Sequence, residues 1–303
     1  MTKQELKELI AKAETLDLDD AARAAAPGGS FIALPCGNTH YELAGEGEAV
    51  VLVHGYVTPY YLYDKIYSQL LDAGYKVLRY DLLGRGLSER VAGPYDVDLF
   101  ARQLDEITTA LLGEEPFHLF GTSMGGSITT AFCAQHPGRA RTLTLYAPAG
   151  MDTFQPPFYM TMCKIPVFGK WIFQKIGAKT IIGNASKELL YSVDERDDYI
   201  RRQAYPFQYK GIVACTWSSL VNTILNTKET VKNYYAVAKQ SLPLLVVWGT
   251  NDQTMPYMQS ERLKEICPQV QFVTFEGSGH IFLYDEGERT FDVTLPFLQE
   301  HQL

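Results

Sequence analysis

Apolar residues along this chain follow two alternating rhythms. Short apolar runs near 49–53, 75–80, 116–121, 142–147, 243–249 and 270–275 read as strands of a sheet buried on both faces. Between them, apolar positions recur at helical spacing near 61–73, 97–112, 125–136, 256–267 and 287–300. Ahead of these, Phe31–Leu34 and His40–Leu43 read as an opening hairpin. The alternation predicts a right-handed, mostly parallel central sheet with helices on both faces, an α/β fold whose ligands sit at the carboxyl ends of the strands. Lys3 to Leu16 has apolar residues at 6, 9, 10, 13 and 16, the spacing of an amphipathic helix, and Ala26-Pro27-Gly28-Gly29 closes that segment. Residues 1–28 are therefore expected to form a helical appendage ahead of the sheet. The rhythm breaks once, between Ala149 and about Asn226, where no strand pattern is evident and aromatic residues accumulate.

One turn in this pattern has chemical content. Phe117-His118-Leu119-Phe120 reads as a strand and Ser127 to Ala134 as a helix, and between them stands Gly121-Thr122-Ser123-Met124-Gly125. A Gly-x-Ser-x-Gly on a strand-to-helix turn is a nucleophile elbow: the turn is so tight that its centre is strained and its flanks must lack bulk. A hydroxyl is a poor nucleophile at neutral pH, so Ser123 needs a base and the base needs an orienting acid. His280, on the glycine-loosened loop Glu276-Gly277-Ser278-Gly279-His280 after the last strand, is placed to reach over the sheet edge. Asp252 follows the preceding strand in Thr250-Asn251-Asp252, although an aspartate there also suits a turn. The remaining histidines, His40, His54, His118, His136 and His301, are given no catalytic part; His54 is expected to brace its loop.

Four motifs, agreeing in order and spacing, resemble those of the α/β-hydrolase family from about residue 30 onward. They are Val51-Leu52-Val53-His54-Gly55-Tyr56, Asp81-Leu82-Leu83-Gly84-Arg85-Gly86-Leu87-Ser88, the serine elbow, and the loops of Asp252 and His280. The order Ser123, Asp252, His280 is that of the family. The resemblance implies an oxyanion hole made by the backbone N–H groups of Tyr56 and Met124. It also implies that the interruption at 151–225 is a helical cap inserted into a core made of 29–150 and 226–303. Tyr56, Thr122, Phe154, Phe158 and Trp217 are the candidates for lining the substrate pocket beneath that lid.

Composition narrows the chemistry. A net charge of −8 offers no footing for nucleic acid. Five cysteines, widely spaced and without a C-x-x-C, suggest incidental thiols in a reducing compartment, and neither a secretory signal nor a membrane-length apolar run is evident, so a cytoplasmic location is expected. No metal constellation or phosphate loop appears, and no cofactor is expected. A serine at the elbow excludes the aspartate-nucleophile dehalogenases and epoxide hydrolases, and Met124 stands where proline iminopeptidases carry Trp. The reading is a serine hydrolase acting on a fairly apolar small-molecule carboxylic ester, carboxylesterase-like or monoacylglycerol lipase-like. Two alternatives stay open: a carbon–carbon bond hydrolase of aromatic meta-cleavage products, using Arg85, Arg201 or Arg202 to hold a substrate carboxylate, and a ligand-binding receptor of the same fold. Met151 to Ile182 mixes Met, Phe, Trp and Ile with Lys164, Lys170, Lys175 and Lys179 in an otherwise acidic protein, the pattern of a face that touches an anionic lipid surface.

Overall fold

A computed structural model describes residues 1–302. Eight strands, β1 (Ser30–Leu34), β2 (Gly37–Ala44), β3 (Ala49–Val53), β4 (Lys76–Tyr80), β5 (Phe117–Thr122), β6 (Ala140–Tyr146), β7 (Leu244–Gly249) and β8 (Gln271–Phe275), form one sheet in the order β1-β2-β4-β3-β5-β6-β7-β8. The hairpin strands β1 and β2 pair antiparallel, as do β2 and β4; every later pairing is parallel. Strands β5 and β7 are buried along their whole length, whereas the edge strands β1 and β8 each begin at an exposed residue. That contrast is what continuous apolar runs in the interior and mixed runs at the edges dictate.

The sheet order reverses at β3. The chain leaves β3 for β4 on one side and later returns to β5 on the other, so the loops after β3 and β5 open a crevice between them at their carboxyl ends. Helices Val97–Leu112, Met124–Gln135 and Thr227–Ala238 pack together on one side of the sheet, and Asp64–Asp72 packs against Gly287–Glu300 on the other. The first of these starts at Asp96, whose carboxylate accepts the Leu99 N–H at 3.0 Å, and stops at Gly113, where φ is +74°. The helix expected over 61–73 is divided, a 3₁₀ turn at Tyr60–Tyr63 preceding Asp64–Asp72. The helix expected from 256 starts at Gln259, because the preceding residues turn around Asp252. Helix Thr227–Ala238 is an addition to the elements read from the pattern.

Between β6 and β7 the chain forms no strand. It builds helices Phe158–Met162, Phe168–Asn184, Arg196–Ala204 and Ile212–Ser219, the last running on into a π-helical turn at Leu220–Ile224. Ile182, Leu189, Tyr199, Ile200, Phe207, Ile212 and Val213 make a second apolar cluster there, joined by Tyr61, Leu62, Ile281 and Tyr284 from the sheet side. The N-terminal helix, Lys3–Ala11, also belongs to this layer: Leu6, Leu9 and Ile10 pack on the same cluster. It stops short of the expected Leu16, because the chain turns at Glu14 (φ +55°) and Leu16 pairs with Tyr209 as an isolated bridge. The Glu14 carboxylate then accepts the N–H groups of Gly211 and Val213 at 2.9 and 3.1 Å, at the amino end of helix Ile212–Ser219.

Two further polar anchors fasten the inserted layer. Asp285 accepts the backbone N–H groups of Leu190, Tyr191 and Ser192 at 2.6, 3.0 and 2.6 Å. Asp64 pairs with Arg202 at 2.6 Å and, through its other oxygen, with Arg79 at 2.5 Å.

Candidate functional site

Ser123 is the single residue between the end of β5 and the first turn of helix Met124–Gln135, and its backbone sits at φ +53°, ψ −120°. A non-glycine residue there costs about 1–3 kcal/mol, so the surroundings must impose it. They do. A Cβ on Gly121 would lie 2.5 Å from Thr129 Oγ1 and 2.6 Å from the Gly125 carbonyl oxygen; one on Gly125 would lie 2.3 Å from the Val53 carbonyl oxygen. The Ser123 N–H donates to the Tyr146 carbonyl at 3.0 Å, and the Ser123 carbonyl accepts from Gly126 and Ala149 at 2.9 and 2.8 Å. Both backbone groups of Ser123 are thereby assigned, whereas the amide of Met124 is one of the first-turn donors with no acceptor inside the helix.

The loop after β3 approaches the serine closely: a Cβ on Gly55 would come within 3.1 Å of Ser123 Cβ. His54, wholly buried, holds this loop. Its Nε2 accepts the Leu82 N–H at 2.9 Å, so the ring proton is on Nδ1, which donates to the Gly55 carbonyl at 2.9 Å. Burial drives the pKa of His54 down to about 4, consistent with a neutral ring. In a trans peptide the N–H points opposite to the carbonyl, so fixing the Gly55 oxygen also fixes the direction of the Tyr56 N–H. The next carbonyl, of Tyr56, accepts from Arg85 Nε at 2.6 Å. Arg85 itself stands in the turn that Ser88 fastens, Ser88 Oγ donating to the Asp81 carbonyl at 2.6 Å.

The loops after β7 and β8 meet each other at the same carboxyl edge of the sheet. Asp252 is buried, and its two oxygens are divided between tasks. Oδ1 accepts the N–H groups of Thr254 and Met255 at 2.8 and 2.7 Å; Oδ2 lies 2.7 Å from His280 Nδ1. The turn reading of this aspartate and its pairing with histidine are thus both realised, one on each oxygen. With Nδ1 facing a carboxylate, the proton belongs on Nδ1 and Nε2 keeps its lone pair. The two loops are locked edge to edge: Asn251 N–H donates to the Ser278 carbonyl at 3.0 Å, and a Cβ on Gly249 would fall 2.3 Å from that same oxygen.

Ser123 lies in the wall of a cavity of about 630 Å³. Tyr56, Val57 and Thr58 line it on the sheet side, Gln253 to Pro256 flank it, and the inserted helices supply most of the remainder. Of the residues expected in the pocket, Tyr56, Phe154 and Phe158 line it, and Thr122 and Trp217 do not. The Thr122 hydroxyl turns back to the Tyr146 carbonyl at 3.2 Å, and Trp217 Nε1 donates to the Cys163 carbonyl at 3.0 Å. Ile172, Phe173, Ile176 and Thr180, lining residues not anticipated, lie on one stripe of helix Phe168–Asn184, and their i, i+4, i+8 spacing was a readable signal. Among the described residues no Lys, Arg, His, Asp or Glu lines the cavity. Arg85 is committed beneath the Tyr56 carbonyl, Arg202 to Asp64, and Arg201 lies on the outside near Glu5.

Residues 48–287 match the model of the alpha/beta hydrolase fold family. Lipase 3 of Moraxella sp. (strain TA144) is 26% identical over 78% of this chain and 72% of its own length. A 2-hydroxy-6-oxononadienedioate/2-hydroxy-6-oxononatrienedioate hydrolase of Klebsiella pneumoniae is 26% identical over 86% of this chain and 90% of its own. Among solved structures, a thermophilic esterase from Thermogutta terrifontis superposes with a TM-score of 0.73 at 21% identity, covering 91% of this chain and all of that one.

Proposed function

The chain belongs to the α/β hydrolase fold family, and from that premise we propose that it is a serine hydrolase of small, apolar carboxylic esters. His280 Nε2 takes the Ser123 proton as Oγ attacks the ester carbonyl carbon. Asp252 holds the imidazole through Nδ1 and stabilises its charged form. The N–H groups of Tyr56 and Met124 receive the oxygen of the tetrahedral intermediate. His280 returns its proton to the leaving alcohol and an acyl-serine remains. Water deprotonated by the same Nε2 then attacks the acyl carbon, and the Oγ–C bond breaks as His280 gives that proton back to Ser123 Oγ, releasing the acid. Helices 158–224 act as the cap over this chemistry. Two observations support the reading: the 2.7 Å contact of His280 with Asp252, whose neighbours Thr254 and Met255 line the cavity, and a strained serine in the wall of that same cavity.

The uncharged wall favours an ester over the carbon–carbon reading. A dioate ring-cleavage product brings carboxylates, which would meet the amides of Gln155, Asn184 and Gln253 here but no Lys or Arg, and burying a carboxylate without a countercharge is costly. A receptor role would leave the same fold without turnover. Hydrolysis of p-nitrophenyl esters from acetate to palmitate by the wild type and Ser123→Ala separates these possibilities. The expected result is turnover with a chain-length optimum, falling roughly 10⁴- to 10⁶-fold in Ser123→Ala while the melting temperature stays within about three degrees. Turnover that survives in Ser123→Ala removes Ser123 as the nucleophile; an inactive wild type that cleaves a vinylogous diketone moves the assignment to carbon–carbon hydrolysis.

A further inference from the structure

We infer that residues 158–179 form a docking surface for an anionic phospholipid membrane, and that the cavity opens onto it. Of the thirteen large apolar side chains exposed among the described residues, seven fall between Phe158 and Ile176. Phe158, Tyr159, Val167 and Trp171 are 78%, 66%, 83% and 55% exposed. A patch of this kind is unusual on a soluble surface and marks a contact. Four of the seven, Phe158, Tyr159, Phe168 and Ile176, also line the cavity, so the apolar patch and the cavity mouth share a rim.

Charge identifies the partner. Phe168, Trp171, Lys175 and Lys179 follow one another at steps of three and four residues along helix Phe168–Asn184, which puts them on one face, and all are exposed. The rings of Phe168 and Trp171 stack at 6.4 Å. Ile172, Phe173 and Ile176 turn toward the cavity from the neighbouring side of the same helix. Asp152 is the only acidic residue between 151 and 185, against four lysines, in a chain whose net charge is −8. Part of this has a purely internal explanation: Lys164 Nζ donates to the Leu225 carbonyl at 3.0 Å, and Lys170 lies 5.8 Å from the Trp217 ring. Lys175 and Lys179 share their face with Trp171 instead, an arrangement that seats an aromatic among acyl chains with ammonium groups at the phosphate level. Among the described residues no helix is long and apolar enough to cross a membrane, so the contact is with the surface. Delivery of substrate from that surface rests on the ester reading; the contact itself does not.

The test is flotation of the full Ser123→Ala chain, which leaves the lipid intact, with vesicles of phosphatidylcholine alone and of phosphatidylcholine with phosphatidylglycerol. Trp171 fluorescence is followed in parallel. The chain is expected to float with the anionic vesicles and its emission to shift to the blue, a shift lost in Trp171→Phe. Lys175→Glu with Lys179→Glu lowers partitioning about twentyfold, and Val167→Ser with Trp171→Ser removes it. Neither pair lines the cavity, so near-ultraviolet circular dichroism and, with Ser123 restored, turnover of a dissolved short ester should be retained. A chain that floats with neither vesicle, or variants that float like the parent, overturns the inference. So does concentration-dependent self-association that buries Trp171, which assigns the face to a second copy. Failure of ester hydrolysis would leave the flotation result unchanged.

Discussion

The sheet edge and the inserted helices are held by different kinds of interaction. Around Ser123, atoms stand where nothing larger fits: the absent Cβ positions of Gly55, Gly121 and Gly125 lie within 3.1, 2.5 and 2.3 Å of neighbours. The inserted layer has its own apolar cluster, shared with Tyr61, Leu62, Ile281 and Tyr284, and is tied to the core by polar contacts, among them Asp64 to Arg202, Asp285 to the 190–192 turn and Tyr61 to Gln203. Steric exclusion tolerates no substitution and defines one geometry. Polar anchors can be exchanged one at a time, and they let a layer shift without unfolding the domain beneath it.

Gly125→Ala should break the first kind of restraint outright. The added methyl meets the Val53 carbonyl, so stability should fall by about 3 kcal/mol or more and turnover should vanish. A purified variant with wild-type melting temperature and activity would show that the elbow is not sterically imposed. His54→Leu removes the donor to the Gly55 carbonyl and orphans the Leu82 N–H. If the direction of the Tyr56 amide matters, kcat should drop roughly 100-fold with KM little changed; a purely structural His54 would lower the melting temperature and spare kcat.

The core also contains a titrating pair. His40 donates from Nδ1 to Asp81 and from Nε2 to the Gly28 carbonyl, both at 2.8 Å, so the ring is doubly protonated. Burial opposes that charge, but the hydrogen bond and charge of Asp81 outweigh it and raise the pKa of His40 above 6.5. Burial likewise opposes ionisation of Asp81, and His40 outweighs it and holds the carboxyl below 3.8. The contribution of His40 is complete below about pH 6.5 and is lost as pH rises through its raised value. That of Asp81 is present above about pH 3.8 and is lost as pH falls through its depressed value. Urea midpoints of the wild type and His40→Gln should therefore diverge most between these limits and converge on the alkaline side. Parallel curves across the alkaline limb would deny the pair this role.

The smallest effect is expected in the other region. Asp285→Ala frees the 190–192 turn without touching the cavity. KM for long-chain esters should change about threefold, and kcat for acetate should hold, because the anchor contributes on the order of 1–3 kcal/mol to the placement of the inserted layer and nothing to the nucleophile. A large fall in kcat for acetate would mean that the anchor also positions the nearby His280 loop.

The same division explains what could be read from the sequence. The strands, the elbow, and the aspartate–histidine contact follow from local signals: apolar runs, glycine spacing, and a loop after a strand. β6 begins at Ala140 instead of near 142, and β4 at Lys76, differences of strand fraying. What escaped was non-local. Nothing near Asp285 announces a partner 93 residues away, and nothing near Glu14 announces Gly211. The amphipathic pattern of the first helix was legible, but the surface it covers was not: the helix precedes the sheet and packs on the inserted layer. Trp217 looked like a pocket aromatic because aromatic content alone cannot say which face of a helix a ring occupies.

The uncharged cavity wall has a consequence for the end of the catalytic cycle. On the proposed ester reading, the substrate enters such a cavity at little electrostatic cost, but hydrolysis converts it into an anion and an alcohol. A carboxylate formed against a wall without Lys or Arg, and left beside a neutral His280 once its proton has returned to Ser123, is raised in free energy relative to water. The site therefore discriminates between what it consumes and what it makes, and turnover carries its own drive for product departure. Acid product should inhibit weakly even when its acyl chain fits as well as that of the ester, and reversal by ester synthesis should require the protonated acid.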